Sequence, residues 1–478
     1  MFNLSRRILI TTSVMALMMA GCEANKPSAN AEVDLQPAVT TDVAANPEIK
    51  VLADIALNGS HGYDITRSLT TEIGPRFAGS PQEAKARRWA RDKFKTLGFT
   101  RIRTEPFPIK GWSRGLETAQ ITKPYPQNLV ITALGGSVAT PKGGTKAPVA
   151  YFENYEALIA APMGSLDGKI AYISGRMSKD RDGAGYGPAN QKRRSGATEA
   201  AKRGAVAVLI RSVGTDSHRM PHTGQMRYNE AVKKIPIAAM SAPDADQLDR
   251  IFNMGQDVEI KLRLNTRDLG EKTSGNVMAE IRGSEKPDEI ILIGAHLDSW
   301  DMGTGAIDDG AGVGIVMGAA QVLMESGLKP KRTIRVVLYG AEEIGIVGAI
   351  AYAKAHADEL NKHVLATESD FGAGKIYALQ AGKSVANKAA VAAIAPEFSY
   401  LGIQPKEGDT NGGPDIGPLS NAGVPTVRLN QDGTDYFDLH HTPDDTFDKI
   451  DSKAMQQNVA AYATLIWLAS ESDSNFRD

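Results

Sequence analysis

Three apolar segments that end on metal-ligating side chains constrain this chain more than any other feature. Residues 290–294, 333–338 and 364–367 carry few polar side chains, which is typical of strands buried at the centre of a parallel sheet. Each segment runs directly into imidazole or carboxyl side chains. Because open α/β sheets bind ligands at the carboxyl ends of their strands, these side chains should meet at one edge. The pattern predicts a metal-dependent α/β enzyme with a doubly wound, mixed but mostly parallel sheet, covered by helices on both faces.

The candidate ligands stand in four segments that follow these strands. They are His296 and Asp298, then Asp308 and Asp309, then Glu342, Glu343 and Asp370, and finally His440 and His441. Two divalent ions about 3.5–4 Å apart can hold a water and a substrate carbonyl together, and a carboxylate such as Asp308 can bridge them. Imidazole and carboxylate ligands suit zinc. A carboxylate that is not a ligand must accept the proton of the water, and the pair Glu342-Glu343 offers one group for each task.

These segments resemble a known family of hydrolases. His296-Leu297-Asp298, Asp308-Asp309-Gly310, Glu342-Glu343, Glu368-Ser369-Asp370 and residues 441–446 are similar to the motifs of the M28 metallopeptidases. The resemblance extends over roughly residues 49–470 and is closest to a carboxypeptidase and dipeptidase subgroup. It implies the zinc exopeptidase fold.

The resemblance also implies a role for each residue. It implies two zinc ions per chain, one bound by His296, Asp308 and Asp370 and the other by Asp308, Glu343 and His441. Asp308 then bridges the ions, and Glu342 is the catalytic base. Asp298 hydrogen-bonds the imidazole of His296 and fixes its tautomer. A cis peptide bond is expected after Asp308.

Every one of these residues also has a structural interpretation. Asp308 and Asp309 could cap a helix, and Glu342-Glu343 could begin one. His440 stays an alternative to His441 as a ligand. The structural interpretation must hold for all segments at once and in this order, so we favour the metal site.

The substrate pocket has three candidates, which are Tyr436, Asp415 and His222. The alternatives are a tyrosine at a strand edge and an ordinary turn. His222 lies in the loop 217–224, which we expect to lie over the active site. His218 and His222 are four residues apart, but Pro221 between them argues against a helix that could present both to a metal.

The amino terminus predicts export and lipidation. Residues 1–21 combine Arg6-Arg7 with a short apolar run, which is typical of a secretory signal peptide. Residues 19–22 resemble the bacterial lipobox, which implies a lipid on Cys22 and a cell-envelope lipoprotein, in the outer membrane or facing the periplasm. Simple secretion and an uncleaved anchor are the alternatives. Residues 22–48 are expected to form a flexible tether.

The remaining chain predicts two parts of one catalytic domain with an insertion. Residues 49–135 and 266–478 form the catalytic domain, and residues 136–265 resemble a protease-associated domain. The expected function is a two-zinc exopeptidase that hydrolyses unblocked dipeptides or short peptides. A broad-specificity aminopeptidase is the alternative, and a non-catalytic receptor module is a remote one. The formal net charge of -2 gives no electrostatic reason to expect nucleic acid, and the resemblance implies a homodimer.

Overall fold

The fold is seen in a computed structural model that describes residues 46–477. The predicted signal peptide, Cys22 and nearly all of the tether lie outside these residues. The α-helices within this range are α1 (Pro47–Asn58), α2 (His61–Glu72), α3 (Pro81–Thr96), α4 (Tyr155–Ala160), α5 (Tyr186–Lys202), α6 (Ala242–Asn253), α7 (Ala311–Glu325), α8 (Val347–Ala355), α9 (Val385–Ile394), α10 (Gly417–Asn421), α11 (Tyr436–Leu439) and α12 (Ser452–Glu471).

The strands of the same range belong to three sheets. They are β1 (Thr100–Ser113), β2 (Glu117–Lys123), β3 (Gln127–Leu129), β4 (Ile131–Ala133), β5 (Thr145–Phe152), β6 (Ile170–Ile173), β7 (Ala207–Arg211), β8 (Ile237–Met240), β9 (Glu259–Leu264), β10 (Arg267–Ile281), β11 (Lys286–His296), β12 (Arg332–Tyr339), β13 (His363–Glu368), β14 (Ile376–Ala381), β15 (Gln404–Lys406) and β16 (Val427–Gln431).

The first sheet contains the three strands that the apolar segments predict. Its order is β1-β10-β12-β11-β13. β11 pairs in parallel with both β12 and β13, whereas β10 pairs antiparallel with β1 and β12. The expectation of a mixed α/β fold is therefore confirmed. Within this sheet, parallel pairing is limited to the three strands that precede the candidate ligands, so the expectation of a mostly parallel sheet is not confirmed.

Alternate side chains of β11 pack into different hydrophobic clusters. Ile291 and Ile293 belong to the cluster that includes residues of α1, α2, α7 and α12. Leu292 belongs to the cluster that includes residues of α8 and α10. Because successive strand residues point to opposite faces of a sheet, helices cover both faces. Because the faces are covered, a binding site on this sheet has to lie at the ends of the strands.

The helix α7 lies in the middle of the larger cluster. Within residues 46–477, the segment Ala306–Glu325, which includes α7, is long and apolar enough to cross a membrane, but 89% of its most apolar 18-residue window is buried inside the protein. A helix that is apolar all round is typical of a buried core element. It packs closely on α2, since a β-carbon on Gly314 would lie 2.4 Å from the carbonyl oxygen of Gly62.

The second sheet has eight strands in the order β3-β2-β9-β5-β6-β7-β8-β4. It surrounds its own apolar cluster. In chain order this sheet begins with β2 and ends with β9, and these two strands pair antiparallel, with Glu117 opposite Leu264. Because β2 begins at Glu117, the sheet starts upstream of residue 136, where the sequence predicts an insertion to start.

Candidate metal centre

The parallel strands bring their terminal side chains to one edge. His296 is the last residue of β11, Glu342 and Glu343 follow β12 within four residues, and Asp370 follows β13 by two. His296 is opposite Tyr339 of β12, and Gly294 is opposite Glu368 of β13. This register places the three strand ends side by side, as the sequence predicts.

A buried loop carries Asp308 to the same edge. The carboxylate of Asp445 accepts hydrogen bonds from the backbone N–H groups of Ala306 at 2.7 Å and Ile307 at 2.6 Å. The peptide bond between Asp308 and Asp309 is cis, as the family resemblance implies. Asp309 accepts hydrogen bonds from the backbone N–H of His296 and of Gly312, both at 3.0 Å. Asp309 thus braces the strand end and caps α7.

The Asp308 carboxylate lies between two groups of ligating atoms. Its Oδ1 is 3.0 Å from Nε2 of His296, and its Oδ2 is 3.2 Å from Nε2 of His441. On the first side, Asp370 Oδ1 is 3.7 Å from His296 Nε2. On the second side, Glu343 Oε2 is 3.1 Å from His441 Nε2. This arrangement allows Asp308 to bridge two ions.

The donor set fits metal ions. Imidazole and carboxylate atoms of three overlapping groups lie within 4.8 Å of one another, and zinc prefers these ligands. Asp308 Oδ2 and Glu343 Oε1 are buried and have no hydrogen-bond partner among the described residues. Buried polar atoms are normally satisfied, so a cation would complete both carboxylates.

The two carboxylates differ in their ease of ionisation. Burial opposes ionisation of Asp308, but the neighbouring imidazoles of His296, His441 and His440 outweigh it and hold the pKa of Asp308 well below its usual value. Burial, with the nearby charge of Asp308, raises the pKa of Glu343 well above its usual value. A cation bound between these carboxylates would favour the ionised form of both.

His440 and His441 are stacked, with ring centroids 3.5 Å apart. His440 Nε2 is 3.6 Å from Asp308 Oδ2, which is longer than the 3.2 Å of His441. Only His441 of the two also approaches Glu343 in the part of the chain that the structure describes. The geometry favours His441 as the ligand, and His440 packs beside it.

Asp298 acts on both the ligand and the base, in a different way from the one expected. The Nδ1 of His296 is 3.0 Å from the main-chain oxygen of Asp298 and 3.8 Å from its carboxylate. The carboxylate instead accepts hydrogen bonds from the backbone N–H of Glu342 at 3.0 Å and of Glu343 at 3.4 Å. The imidazole tautomer is thus set by a carbonyl, and the side chain fixes the segment that carries Glu342.

A cavity of about 550 Å³ opens on these residues, within the range of about 300–1,000 Å³ that is typical of small-molecule sites. Glu342 is half-buried at its lining. Burial, reinforced by the charges of Asp370 and Glu343 and opposed by His296, raises the pKa of Glu342 well above its usual value. A carboxylate with a raised pKa accepts a proton more readily, which suits a general base.

Only one of the three predicted substrate residues reaches this cavity. Tyr436 lines it and packs against Phe371, with ring centroids 4.9 Å apart. Asp415 is fully buried, and its backbone N–H donates to Glu368 at 2.8 Å. His222 is also fully buried, and the described lining of the cavity does not include it.

His222 instead supports the ligand loop from the second sheet. Its Nδ1 is 2.7 Å from the main-chain oxygen of His440, and its Nε2 is 2.6 Å from a carboxylate oxygen of Asp216. The next residue, Thr223, donates its N–H to the main-chain oxygen of His441 at 3.0 Å, and its own oxygen is 3.3 Å from His441 Nδ1. The segment 222–223 therefore supports His441, a candidate metal ligand, and is not part of the described cavity lining.

Comparisons with known proteins agree with this geometry. The family model described as peptidase family M28 matches residues 276–466. Carboxypeptidase Q of Mus musculus is 34% identical over 428 residues, which are 89% of this chain and 89% of that protein. The crystal structure of a peptidase M28 precursor from Shewanella amazonensis SB2B has a TM-score of 0.87 and 49% identity, and the match covers 89% of this chain and 97% of that chain.

The chain belongs to peptidase family M28. A more distant neighbour of this M28 peptidase is an aminopeptidase from Aneurinibacillus sp. strain AM-1, with a TM-score of 0.64 and 22% identity over 89% of this chain and 97% of that chain. That likeness shows a shared fold.

Sequence reasoning missed two supports of the M28 site. Arg76 is fully buried, and its guanidinium donates to the main-chain oxygens of Leu297, Thr304 and Gly305. Arg193 is buried, and its guanidinium occupies the space that a β-carbon on Gly224 would need, 2.5 Å from Nη1. Both arginines are distant in sequence from the ligands, so no local pattern could reveal them.

Proposed function

We propose that this M28 peptidase is a two-zinc exopeptidase that hydrolyses unblocked dipeptides and short peptides, as carboxypeptidase Q-like enzymes are expected to do. The observation that carries the proposal is the pair of ligand sets that share Asp308, 3.0 Å from His296 and 3.2 Å from His441. The carboxyl group of Glu342 stands beside them on the same cavity.

Each ligand has an assigned ion. His296, Asp308 and Asp370 would hold the first zinc, and Asp308, Glu343 and His441 the second. Zinc held by these residues would supply a Lewis acid for the peptide carbonyl and lower the pKa of a bound water. Glu342 accepts the proton of that water and returns it to the departing amine. Tyr436 lies on the cavity lining, where it can contact the substrate.

The wider architecture is part of the same proposal. The predicted insertion, residues 136–265, is a protease-associated-like unit, and the first sheet is the doubly wound core of a zinc exopeptidase. Support comes from the second sheet, which has its own apolar cluster, and from the helices on both faces of β11. The segment 222–223 then links the insertion to the metal ligands.

A substrate panel tests the function. The purified chain, loaded with zinc, is given one dipeptide with free ends, its N-acetyl form, its C-terminal amide, and a hexapeptide that begins with the same residues. We expect two zinc ions per chain and fastest cleavage of the free dipeptide. Equal trimming of the hexapeptide from its amino end would establish the aminopeptidase alternative. Zinc binding without cleavage of any substrate would establish the receptor alternative and contradict the proposal.

We further propose that the protein is a lipoprotein of the cell envelope, anchored through Cys22, and that it acts as a homodimer. Residues 19–22 support the first point, because they resemble the bacterial lipobox. A lipoprotein carries more than one acyl chain, which stable anchoring requires. Cys22→Ser should move the protein from the membrane fraction to the soluble fraction. Unchanged membrane retention would indicate an uncleaved anchor. Sedimentation of the soluble variant tests the dimer, and a single monomeric species would contradict it.

A further inference from the structure

The cavity lining carries two sets of charges. The acidic set, which we call the metal rim, consists of Asp308, Glu342, Glu343 and Asp370. The basic residues of α5 and of the loop between β7 and β8, which we call the arginine wall, are Arg193, Arg194 and Arg227. Arg428 of β16 also lines the cavity, but its guanidinium lies over the Phe371 ring. The charges of the metal rim are balanced by zinc in the proposed function. The charges of the arginine wall need a separate explanation.

Arg193 is committed to the protein. It is 4% exposed, its guanidinium lies 5.2 Å from the centre of the Tyr186 ring, and its Nη1 is 3.4 Å from the main-chain oxygen of Thr223. The same Nη1 is 3.5 Å from Nδ1 of His441. The contacts of Nη1 therefore commit Arg193 to supporting His441 from behind, and only its buried Nε lacks a hydrogen-bond partner among the described residues.

Arg194 and Arg227 are different. Both are exposed at the cavity, and within residues 46–477 neither guanidinium makes an ion pair or a hydrogen bond. Other arginines of the same sheet region, Arg176, Arg203 and Arg219, all pair with carboxylates. The backbone N–H of Arg227 donates to the oxygen of Arg194 at 3.0 Å, so the two residues are held together. The cavity lining thus carries two unpaired cations on neighbouring backbone segments, on the same cavity as the metal rim.

The pair lies on the side of the catalytic base. Arg227 Nη2 is 3.7 Å from the position that a β-carbon on Gly345 would take. The backbone N–H of Gly345 donates to the main-chain oxygen of Glu342 at 2.7 Å, closing the turn that follows the base. Arg227 thus lies near the turn that begins with Glu342.

The chemistry then identifies the ligand. The base must return its proton to the departing nitrogen, so the departing residue has to lie beside Glu342. In a carboxyl-terminal residue, the α-carboxylate is only two bonds beyond that nitrogen. We propose that Arg194 and Arg227 bind this carboxylate, an inference that rests on the proposed peptidase function. The planar guanidinium forms paired hydrogen bonds with carboxylates.

Asn190 gives independent support. It precedes Arg194 by four residues on α5, a spacing that places both on one helix face, and it also lines the cavity. Asn190 is 9% exposed, and its Oδ1 is buried without a hydrogen-bond partner among the described residues. A buried amide oxygen without a partner is unfavourable. Because this oxygen is an acceptor, an N–H group of a peptide substrate would complete it. The cavity is therefore built for a polar ligand at this place.

The proposed carboxylate site limits the length of the substrate beyond the cleaved bond. A carboxylate site directly beside the base accepts a substrate with one residue after the cleaved bond. The enzyme would then release a single carboxyl-terminal residue, as a dipeptidase or carboxypeptidase does. A broad aminopeptidase has no need of such a site, because its departing group continues as a chain.

The experiment compares a free dipeptide with its C-terminal amide. Arg194→Ala, Arg227→Ala and the double variant should each lower kcat/KM for the free dipeptide, by about 10–100-fold for one charged hydrogen-bonding group. The amide should change by less than about 3-fold, because it lacks the charge that the arginines bind. Arg227→Lys should recover part of the loss. Arg176→Ala is the matched control, since it is an exposed arginine that pairs with Asp246 away from the cavity.

Two outcomes overturn the inference. One is an unchanged preference for the free acid in the double variant when its zinc content and circular dichroism are those of the wild type. The other is loss of that preference in Arg428→Ala alone, since Arg428 also lines the cavity but lies over the Phe371 ring.

A binding measurement separates this failure from failure of the proposed function. Calorimetry of zinc-loaded Glu342→Gln with the intact dipeptide reports binding without turnover. The double variant in that background should bind at least about 10-fold more weakly. Equal binding would refute the arginine site even if the enzyme proved to be a peptidase. Weaker binding, with no peptidase activity in the wild type, would refute the proposed function alone.

Discussion

The metal rim and the arginine wall face one cavity, but they are built in opposite ways. The residues of the metal rim follow buried strand ends, and carboxylates such as Asp298 and Asp445 fix their backbones through N–H groups. In the arginine wall, Arg194 and Arg227 are exposed and have unpaired guanidinium groups. Catalysis needs groups whose positions are fixed before the substrate arrives. Substrate recognition, in contrast, can use charged groups that stay unpaired until the substrate binds them. We therefore expect changes at the metal rim to reduce kcat and changes at Arg194 and Arg227 to raise KM.

The largest effect should come from the bridging ligand. Asp308→Ala removes a carboxylate that lies 3.0 Å from His296 and 3.2 Å from His441, so both ions lose a ligand. Activity should fall by more than about 10⁴-fold, because metal ions supply both the activated water and the polarised carbonyl. Zinc content by elemental analysis should fall well below two per chain.

The control for this change is His441→Ala, which removes a ligand from one ion only. It should retain about one zinc per chain. Two tightly bound ions in Asp308→Ala would show that Asp308 does not bridge, and the two sides of the metal rim would then be independent.

The next largest effect should come from the base. Glu342→Gln should keep both zinc ions and lower kcat by about 10²–10⁴-fold, the usual contribution of general-base catalysis. Wild-type activity should decline as the pH falls below the pKa of Glu342, because the protonated acid cannot accept a proton. The variant should lack that decline. Near-normal turnover with full zinc content would remove Glu342 from the mechanism.

The sequence predicted the metal rim better than the arginine wall for a physical reason. Strand ends carry their ligands within a few residues of an apolar segment, so His296, Glu343 and Asp370 can be found from local patterns. The support of His441 by Thr223 and the burial of Arg76 depend on contacts over 200 residues apart in sequence. Periodicity and spacing do not report such contacts. The start of the second sheet at β2 was not predicted for the same reason, because it depends on the pairing of β2 with β9.

A smaller effect should come from His222, which belongs to the second sheet but supports the metal rim. His222→Ala removes the ring that lies 2.7 Å from the main-chain oxygen of His440. Loss of such an outer partner typically lowers metal affinity by about 10–100-fold. Competition with a zinc chelator should show this weakening at one of the two ions, while kcat at saturating zinc stays near that of the wild type. An unchanged affinity would mean that Thr223 alone holds the ligand loop.

The smallest effect on the reaction should come from Glu83, a carboxyl group that is as buried as the metal rim but lies away from the cavity lining. It is 0% exposed, it accepts a hydrogen bond from Ser274 at 3.0 Å, and burial raises its pKa from 4.5 to about 7. Between these pH values the folded chain keeps a proton that the unfolded chain loses. Stability should therefore fall as the pH rises through this window, with the loss complete above about 7.

Glu83→Gln has no proton to lose, so its stability should not follow that decline. The difference in melting temperature between variant and wild type should grow from pH 4.5 to about 7 and then stay constant. At about 1.4 kcal/mol per pKa unit, and on the order of 1 °C per kcal/mol for a chain of this length, the growth should be a few degrees. Calorimetry at a series of pH values measures it, and kcat should be unchanged. A large loss of kcat would show that burial of a carboxyl group, rather than its place at the metal rim, is what catalysis depends on.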